Sequence, residues 1–437
     1  MANQKQLDEV VEELAARTDR NVSLDDVFGR VLAYSTRSPT TDRARIDSVL
    51  MKSVSPEALA WESQSRQSLR HHPFILEGDE EKGYLTRICV PLVSRGLRVG
   101  YLWILTDSSD DEPEKILQVV LDARSLMDGF AHQVAEAVEE DLAGSIEDEH
   151  VLMSALAGRD SVLRGSVSAA ATVKANGAVI AVLASPLLSA APAHYDPTRL
   201  CRQATIDALR VIPAAAPYIA RPDHTAVLLP ASTSTADLEQ IQQRFYRALQ
   251  LRGSELVAEP TAERALIGVS NVTHELSDFP LMYRQAVATV QARFVDDLPA
   301  LTLRYSSLGV YQFLAQEGQN DLEPTSTVLD ALLSAANGPM LVDMLESIYD
   351  SDAPRQDLAA SLHIHRTSLY HRLQRIATIT GADPLSSFTR LSLHLALKAR
   401  RWRERPRFIP LTDHLARRAV SDGVLRVVGK GWKSASS

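Results

Sequence analysis

Apolar and polar positions along this chain follow different periods in successive stretches. Behind a polar start, Leu7, Val10, Val11 and Leu14 recur at helical spacing with acids between them, and this predicts an N-terminal helix. Two short apolar segments follow, Val22-Ser23-Leu24-Asp25 and Val31-Leu32-Ala33-Tyr34. The runs 85–93 and 99–105 flank the turn Ser94-Arg95-Gly96-Leu97-Arg98, which predicts a hairpin inside a small α/β domain. From Pro113 to Leu142, residues Ile116, Val119, Ala123, Leu126, Phe130, Val134 and Ala137 lie three or four apart, with Glu136, Glu139, Glu140 and Asp141 on other positions. One long amphipathic helix is expected there, its stripe either zipped against a second copy in a parallel dimer or packed on its own domain.

From His150 to Ser306 the pattern restarts as a second α/β unit. Residues 177–183 form a buried-type strand and Thr198 to Val211 a helix. Tyr218-Ile219-Ala220 and 225–229 form a hairpin turning at Pro222-Asp223-His224. Leu238 to Leu251 is a further helix, 265–269 a strand, Phe279 to Phe294 a helix, and 301–305 a closing strand. Such alternation means a sheet covered by helices. After Leu308 only helical spacing remains, as in Val328 to Leu333 and Met340 to Ile348, with a break at Asn337-Gly338-Pro339.

Composition narrows the class. With 437 residues, 45% hydrophobic and 23% charged, the chain is long enough for two to four domains. No apolar run approaches the ~18–20 residues of a bilayer span, and the N-terminus lacks the apolar stretch of a secretory signal, so a cytoplasmic chain with no membrane partner is expected. Cys89 and Cys201 sit among apolar or small neighbours and read as buried free thiols rather than a disulfide or zinc framework. Net charge is −9, yet from Ser351 onward 16 basic residues face 6 acidic ones. An acidic body joined to a basic C-terminal piece is what results when one domain alone meets a polyanion; a solvated basic tail is the alternative.

The basic piece contains a constellation that carries chemistry. In 354–376, Leu358 and Leu362 form one apolar stripe and Leu369, Leu373 and Ile376 another, while Ile364 plugs the short connection and Ala359 is small where two helices approach. This is the layout of a helix-turn-helix. The free face of the second helix shows Arg366, Thr367, Tyr370, His371, Arg372, Gln374 and Arg375. Arg366, Thr367, Ser368, Tyr370 and His371 are expected nearest the bases, with Arg372 and Arg375 nearer the phosphates. A plain helical hairpin with a basic outer face is the alternative.

The run His365-Arg366-Thr367-Ser368-Leu369-Tyr370-His371-Arg372-Leu373, followed by Ile376, Thr380-Gly381 and 390–397, resembles the C-terminal helix-turn-helix of PucR/CdaR-type transcription regulators. Ser368 replaces a threonine of the usual motif and keeps its hydroxyl. The middle unit is similar to that family's GGDEF-like (CdaR) domain through 226–230, 267–270 and 283–286. An active cyclase carries paired glycines and several acids on the hairpin where this chain has Ala220 to Thr225 with Asp223 alone, so no enzyme activity is expected. The first unit is similar to a GAF-type sensor through 21–26 and 100–103.

The resemblance implies a multidomain α/β plus all-α architecture. Its parts are a GAF-like sensor at 1–112, a linking amphipathic helix at 113–145, a non-catalytic GGDEF-like domain at 146–306, a helical PucR-type helix-turn-helix domain at 307–402, and a basic extension at 403–437. The DNA-binding set is His365, Arg366, Thr367, Ser368, Tyr370, His371, Arg372 and Arg375. Partners expected are double-stranded DNA, a second copy as homodimer, RNA polymerase and an unidentified small-molecule effector, with activation favoured by the resemblance. A nucleotide-handling GGDEF-type protein and a helical protein-interaction scaffold remain as alternatives.

Other candidates are weaker. His363, His365 and His371 lack the cysteine or carboxylate that would complete a metal set, so neither metal nor cofactor is expected. His71-His72-Pro73 with Trp61 and Phe74 reads as a surface loop or, alternatively, a sensor pocket. Arg401, Arg403, Arg405 and Arg407 open an extension expected to act as a phosphate-contacting arm, a polymerase contact or an extra packed helix.

Overall fold

A computed structural model describes residues 2–64, 71–106, 113–140, 152, 156, 176–189, 196–212, 216–253, 265–296, 298, 303–317, 326–351 and 357–409. Two compact units divide them. The first takes its residues from Met1–Ile267, Val272–Tyr283 and Phe408–Ser437, the second from Gly268–Asn271 and Arg284–Arg407.

The first unit begins with helix α1 (Ala2–Thr18) and strands β1 (Val22–Asp25) and β2 (Val31–Tyr34). Helices α2 (Arg43–Met51) and α3 (Pro56–Gln64) precede β3 (Phe74–Leu76), β4 (Arg87–Ser94) and β5 (Leu97–Leu105). The antiparallel sheet has the order β2-β1-β5-β4-β3. The expected β4–β5 hairpin closes where Ser94 pairs with Leu97. Its two-residue turn holds Arg95 and Gly96 at φ 51° and 80°, the left-handed pair that matches the twist of a tight hairpin.

Both faces of this sheet are buried, which explains why β4 and β5 are nearly continuous apolar runs. Ile88, Val90, Leu102 and Ile104 face a core shared with Val11 and Leu14 of α1, while Cys89, Tyr101 and Trp103 face Ala44, Trp61 and Phe74. Cys89 is buried here and is not in a disulfide. His71 and His72 lie at the surface or near it, and Trp61 and Phe74 belong to the core.

The long helix expected from Pro113 onward is two helices, α4 (Pro113–Asp122) and α5 (Arg124–Glu140), broken at Ala123. Val120, Met127, Phe130, Ala131, Val134 and Ala135 are buried against α1 and the first sheet; of the expected stripe Phe130 and Val134 are thus buried, Ile116, Ala123 and Leu126 are half-buried and Val119 is exposed.

A second sheet follows, built from β6 (Ala178–Ala184), β7 (Tyr218–Ala220), β8 (His224–Pro230) and β9 (Leu266–Val269) in the order β7-β8-β6-β9. Strands β6 and β8 run antiparallel from Ala178↔Pro230 to Ala184↔His224. Helices Pro197–Leu209 and Thr235–Arg252 accompany it. Asp196 caps the first by accepting from Thr198 N and Arg199 N; Ser234 and Asp237 form a reciprocal capping box on the second. Arg252 and Asp207 pair at 2.6 Å with both side chains buried.

The hairpin between β7 and β8 carries the single acid of the segment where a cyclase would have several. Asp223 Oδ1 lies 2.7 Å from His224 Nδ1, and Asp223 Oδ2 accepts from Ile409 N at 2.7 Å. His224 is fully buried, its Nε2 lies 2.7 Å from the Tyr283 hydroxyl, and its ring stacks on Phe408. These groups are engaged with one another. The closing strand expected at 301–305 is represented among the described residues by one parallel bridge, Val269↔Arg304, in the second unit.

The second unit is otherwise helical. Part of Phe279–Val295, together with Val310–Glu317 and the last helix, Ser387–Arg403, encloses a core of Ala288, Ala292, Tyr305, Leu308, Tyr311, Ala399 and Trp402. The helices Thr327–Ser334 and Gly338–Tyr349 flank the expected break. Their residues Leu329, Leu332, Leu341, Leu345 and Ile348 join Leu369, Leu373, Ile376, Leu393 and Leu397 in one core. The chain is thus a mixed α/β N-terminal region with antiparallel sheets followed by a helical C-terminal domain.

Candidate nucleic-acid interface

Two helices and a tight connection make the site. The short helix Leu358–Ser361 leads to a turn in which Ile364 N donates to Ala359 O at 3.0 Å and His363 N to Ala360 O at 3.1 Å. Closing so tightly forces His363 into the left-handed region at φ 54°, an uncommon conformation for a residue other than glycine. Ala359 is buried, and Leu362 and Ile364 pack at the edge of the core, as their size and position implied.

Helix Arg366–Thr380 then starts from His365, whose Nδ1 accepts from Thr367 N at 3.3 Å and so satisfies one of the open N-terminal donors. It ends at Gly381, left-handed at φ 76°, with Gly381 N donating to Ala377 O at 2.9 Å. Leu369, Leu373 and Ile376 are buried. At about 100° per residue, Thr367, His371 and Gln374 fall at the middle of the opposite face. Arg366 and Tyr370 lie along one border of it, Ser368 and Arg372 along the other.

The solvent-facing surface is continuous. His365, Arg366, Thr367, Ser368, Tyr370, His371, Gln374 and Arg375 are exposed and Arg372 is half-buried. His365, Arg366, Thr367, Tyr370, His371 and Gln374 line one shallow open depression. The Arg366 guanidinium sits 5.6 Å from the centre of the Tyr370 ring, four residues on, which favours a guanidinium held along the helix rather than pointing at random. No acidic residue occurs in the fifteen positions of this helix, so nothing on it repels a polyanion.

Two of the expected phosphate contacts differ in their surroundings. Arg372 is half-buried, whereas Arg375 Nη2 donates to Ala336 O at 3.0 Å, across to the loop before Gly338–Tyr349. Arg375 therefore ties the helix to its support, a role that spacing on a single helix could not reveal.

The last helix, Ser387–Arg403, braces the domain from behind. Asp296 accepts from Lys398 Nζ at 2.5 Å, from the Tyr311 hydroxyl at 2.9 Å and from Arg401. Arg401 also reaches Glu346 at 2.9 Å and Asp350 at 3.3 Å, and Lys398 reaches Asp350 at 2.8 Å. Burial works against the charge on Asp350, but hydrogen bonds from Lys398 and His394 hold its carboxyl below the usual carboxylate range. Arg405 is buried, stacked 4.2 Å over the Trp402 ring and bonded to Trp402 O. Arg401 and Arg405 are thus packed inside the domain rather than serving as a free arm; the extension beyond 409 lies outside the described residues.

Residues 341–399 match the PucR C-terminal helix-turn-helix domain, spanning the support helix, the turn and both later helices. Over 406 residues the chain is 21% identical to the DNA-binding transcriptional activator AdeR of Bacillus subtilis (strain 168), covering 87% of this chain and 89% of that protein. Among solved structures, it is similar to a regulator of polyketide synthase expression from Bifidobacterium adolescentis, with 16% identity, a TM-score of 0.26, and coverage of 60% of this chain and 100% of the other. It is also similar to PelD 158-CT from Pseudomonas aeruginosa PAO1, with 15% identity, a TM-score of 0.19, and coverage of 61% and 82%.

Proposed function

We propose that this chain, a PucR-type regulator by its matched C-terminal domain and its full-length relative, binds specific double-stranded DNA sites and controls transcription from them. The observation that carries this reading is the acid-free, exposed face of Arg366–Thr380 presented by a braced helix-turn-helix. In this reading the N-terminal turns of that helix enter the major groove. Arg366 grips a guanine edge with two parallel bonds, Thr367, Ser368, Tyr370 and His371 meet bases or the thymine methyl, and Arg372 and Arg375 hold the backbone, Arg375 through the N–H groups it does not donate to Ala336 O.

A homodimer would place two such helices on half-sites about one helical turn, ~34 Å, or a multiple apart. The α/β region is the sensor: a signal that binds one of its arrangements better changes how the two helices are presented. Activation is the sign of control supported by the name of the Bacillus relative.

The test is genome-wide occupancy of the tagged protein beside an Arg366→Ala/Arg372→Ala variant, then footprinting on the strongest site. Discrete sites with paired half-sites that vanish in the variant support the reading. Neutralising phosphates also predicts a log–log salt slope near −0.9 per phosphate met, and removing one phosphate-binding cation should make that slope shallower by about the same amount. Unchanged binding by the variant, or an affinity insensitive to salt, would sink it.

A further inference from the structure

The last helix, Ser387–Arg403, carries one row of side chains that the domain covers along only half its length. Phe388, Leu391, Leu395, Ala399 and Trp402 recur three or four apart and so share one face. Ala399 and Trp402 are buried in the domain's own core, where the Trp402 ring stands 5.8 Å from that of Tyr311. The other half of the row is bare. Phe388 is 81% exposed, Leu391 69% and Leu395 44%, while Leu393 and Leu397 on the opposite face are buried. Apolar side chains scattered singly over a surface are ordinary; three in one row of a helix form a patch.

The charges around this patch decide what can cover it. The helix holds lysine and arginine but no acid, and loose cations on it would repel a second copy of the same helix. They are engaged instead. Lys398 reaches Asp350 at 2.8 Å and Arg401 reaches Glu346 at 2.9 Å, His394 lies 2.9 Å from Asp350, and Arg390 sits over the Tyr349 ring. The exposed polar neighbours of the bare half are Ser386, Ser387 and Ser392, all uncharged. Such a face offers nothing to a polyanion or to a charged peptide, and it can meet an identical face without repulsion.

The row is also self-complementary. A two-fold contact pairs each group with its counterpart at equal distance from the axis. With two copies of the helix antiparallel and the axis beside Leu391 and Ser392, Phe388 of one copy falls opposite Leu395 of the other, and Leu391 meets its own copy. Leu395 lies between Ser392 and Ala396 on the helix surface, two small residues that leave room beside it for an aromatic ring. Knob and recess thus sit on one chain, on either side of the same axis.

We infer that Phe388, Leu391 and Leu395 form the contact through which the C-terminal domain pairs with that of a second copy of this chain, the two last helices running antiparallel. At about 150–200 Å² for a whole side chain of this size, each copy offers roughly 300–400 Å², or ~600–800 Å² for the pair. A stable interface buries about 1,200 Å² or more, so free chains pair weakly through this face, with a Kd on the order of 100 µM. Holding two copies side by side raises their effective concentration above that value and completes the contact. The pairing is measured without DNA, so its failure and that of the DNA-binding reading are told apart.

The experiment is cross-linking of the full chain by a short bis-maleimide at ~10 to ~300 µM protein, a range that brackets the expected Kd. Cys89 and Cys201 are buried, so an introduced thiol is the one the reagent meets among the described residues. Ser392→Cys, beside the axis, should give a covalent dimer in about fivefold higher yield than Ser347→Cys, which is exposed on the helix Gly338–Tyr349. Adding Leu391→Glu, or separately Leu391→Lys, should lower the yield about tenfold, because like charges then meet at the axis; mixing the two variants should restore it. Both changes fall on an exposed side chain, and an unchanged thermal midpoint shows that each variant folds. Equal yields from the two cysteines, a Ser392→Cys yield that Leu391→Glu leaves unchanged, or a mixture of the Glu and Lys variants that stays low would overturn the assignment, the last two outcomes giving this face to a different partner.

Discussion

Replacing Asp296 by alanine tests whether the last helix is held by charge. The Asp296 side chain is 5% exposed and accepts from Tyr311, Lys398 and Arg401, whose side chains converge from two helices. Removing one member of a buried ion pair costs about 3–5 kcal/mol, because the remaining charge stays desolvated. Here the loss is smaller. Lys398 keeps Asp350 at 2.8 Å, Arg401 keeps Glu346 at 2.9 Å, and their side chains are 13% and 25% exposed. About 2–3 kcal/mol remains, chiefly the Tyr311 hydroxyl without its acceptor and two cations with a weaker field. Amide exchange along Ser387–Arg403 should therefore speed up about 30- to 150-fold, taking 1.36 kcal/mol per factor of ten. Adding Lys398→Met to an Asp296→Leu variant removes both charges and should restore part of the protection. A change under about threefold in Asp296→Ala, or a double variant worse than the sum of its single changes, would refute the reasoning.

Further expectations concern the first sheet, the turn and a close approach of strand to helix. Burial pushes Glu62 up to about 8, as it pushes Asp25 to about 7, so the folded chain holds protons that the unfolded chain releases near pH 4. Stability from these groups is complete below that value and lost as pH rises through 7–8; urea unfolding followed at α2 and β1 should show a decline between pH 5 and 8 that Asp25→Asn flattens. At His363, glycine removes a left-handed penalty of roughly 1–2 kcal/mol but adds unfolded-state freedom, so His363→Gly should stabilise Arg366–Thr380 by less than ~1 kcal/mol and His363→Val should weaken it, read by thermal unfolding. A Cβ on Gly268 would stand 2.7 Å from both Ala286 O and Val290 N. Gly268→Ala should cost about 1–3 kcal/mol in the same assay, and an unchanged midpoint would show that the strand and helix can separate without penalty.

Much of the fold was legible because its periods are unambiguous. The β4–β5 hairpin was marked by Arg95-Gly96 between two apolar runs, and the helix-turn-helix by Leu369, Leu373 and Ile376 against an outward set with no acid. What periodicity could not say was where a stripe goes. The residues from Ile116 to Val134 have the spacing of a zipper, and the same spacing serves a helix pair lying on a sheet; the position of α1 and β4 shows that Phe130 and Val134 pack within the domain, while Val119 is exposed. The buried charged cluster in which Asp25, Arg45, Glu62 and Arg87 line one small cavity of the first unit was invisible for another reason. Asp25, Arg45, Glu62 and Arg87 come from four elements, and nothing local distinguishes a buried aspartate at the end of a strand from an exposed one.

The charge contrast along the chain also changes meaning. Sixteen basic residues follow Ser351, and the described ones among them do not form one cationic surface. Lys398, Arg401 and Arg405 lie on the inward register of the last helix and its end, paired with Asp296, Glu346 and Asp350 or stacked on Trp402. Arg390 stands 5.6 Å over the Tyr349 ring, and Arg375 is bonded to Ala336 O. These side chains fasten the domain together. Arg366, exposed, and Arg372, half-buried, lie outside this bracing set. Net charge therefore marks the basic domain, while the phase of each helix decides which of its arginines face solvent and which brace the fold; on the proposed function, the bracing set is what would make the facing set rigid enough to read a sequence rather than merely attract it.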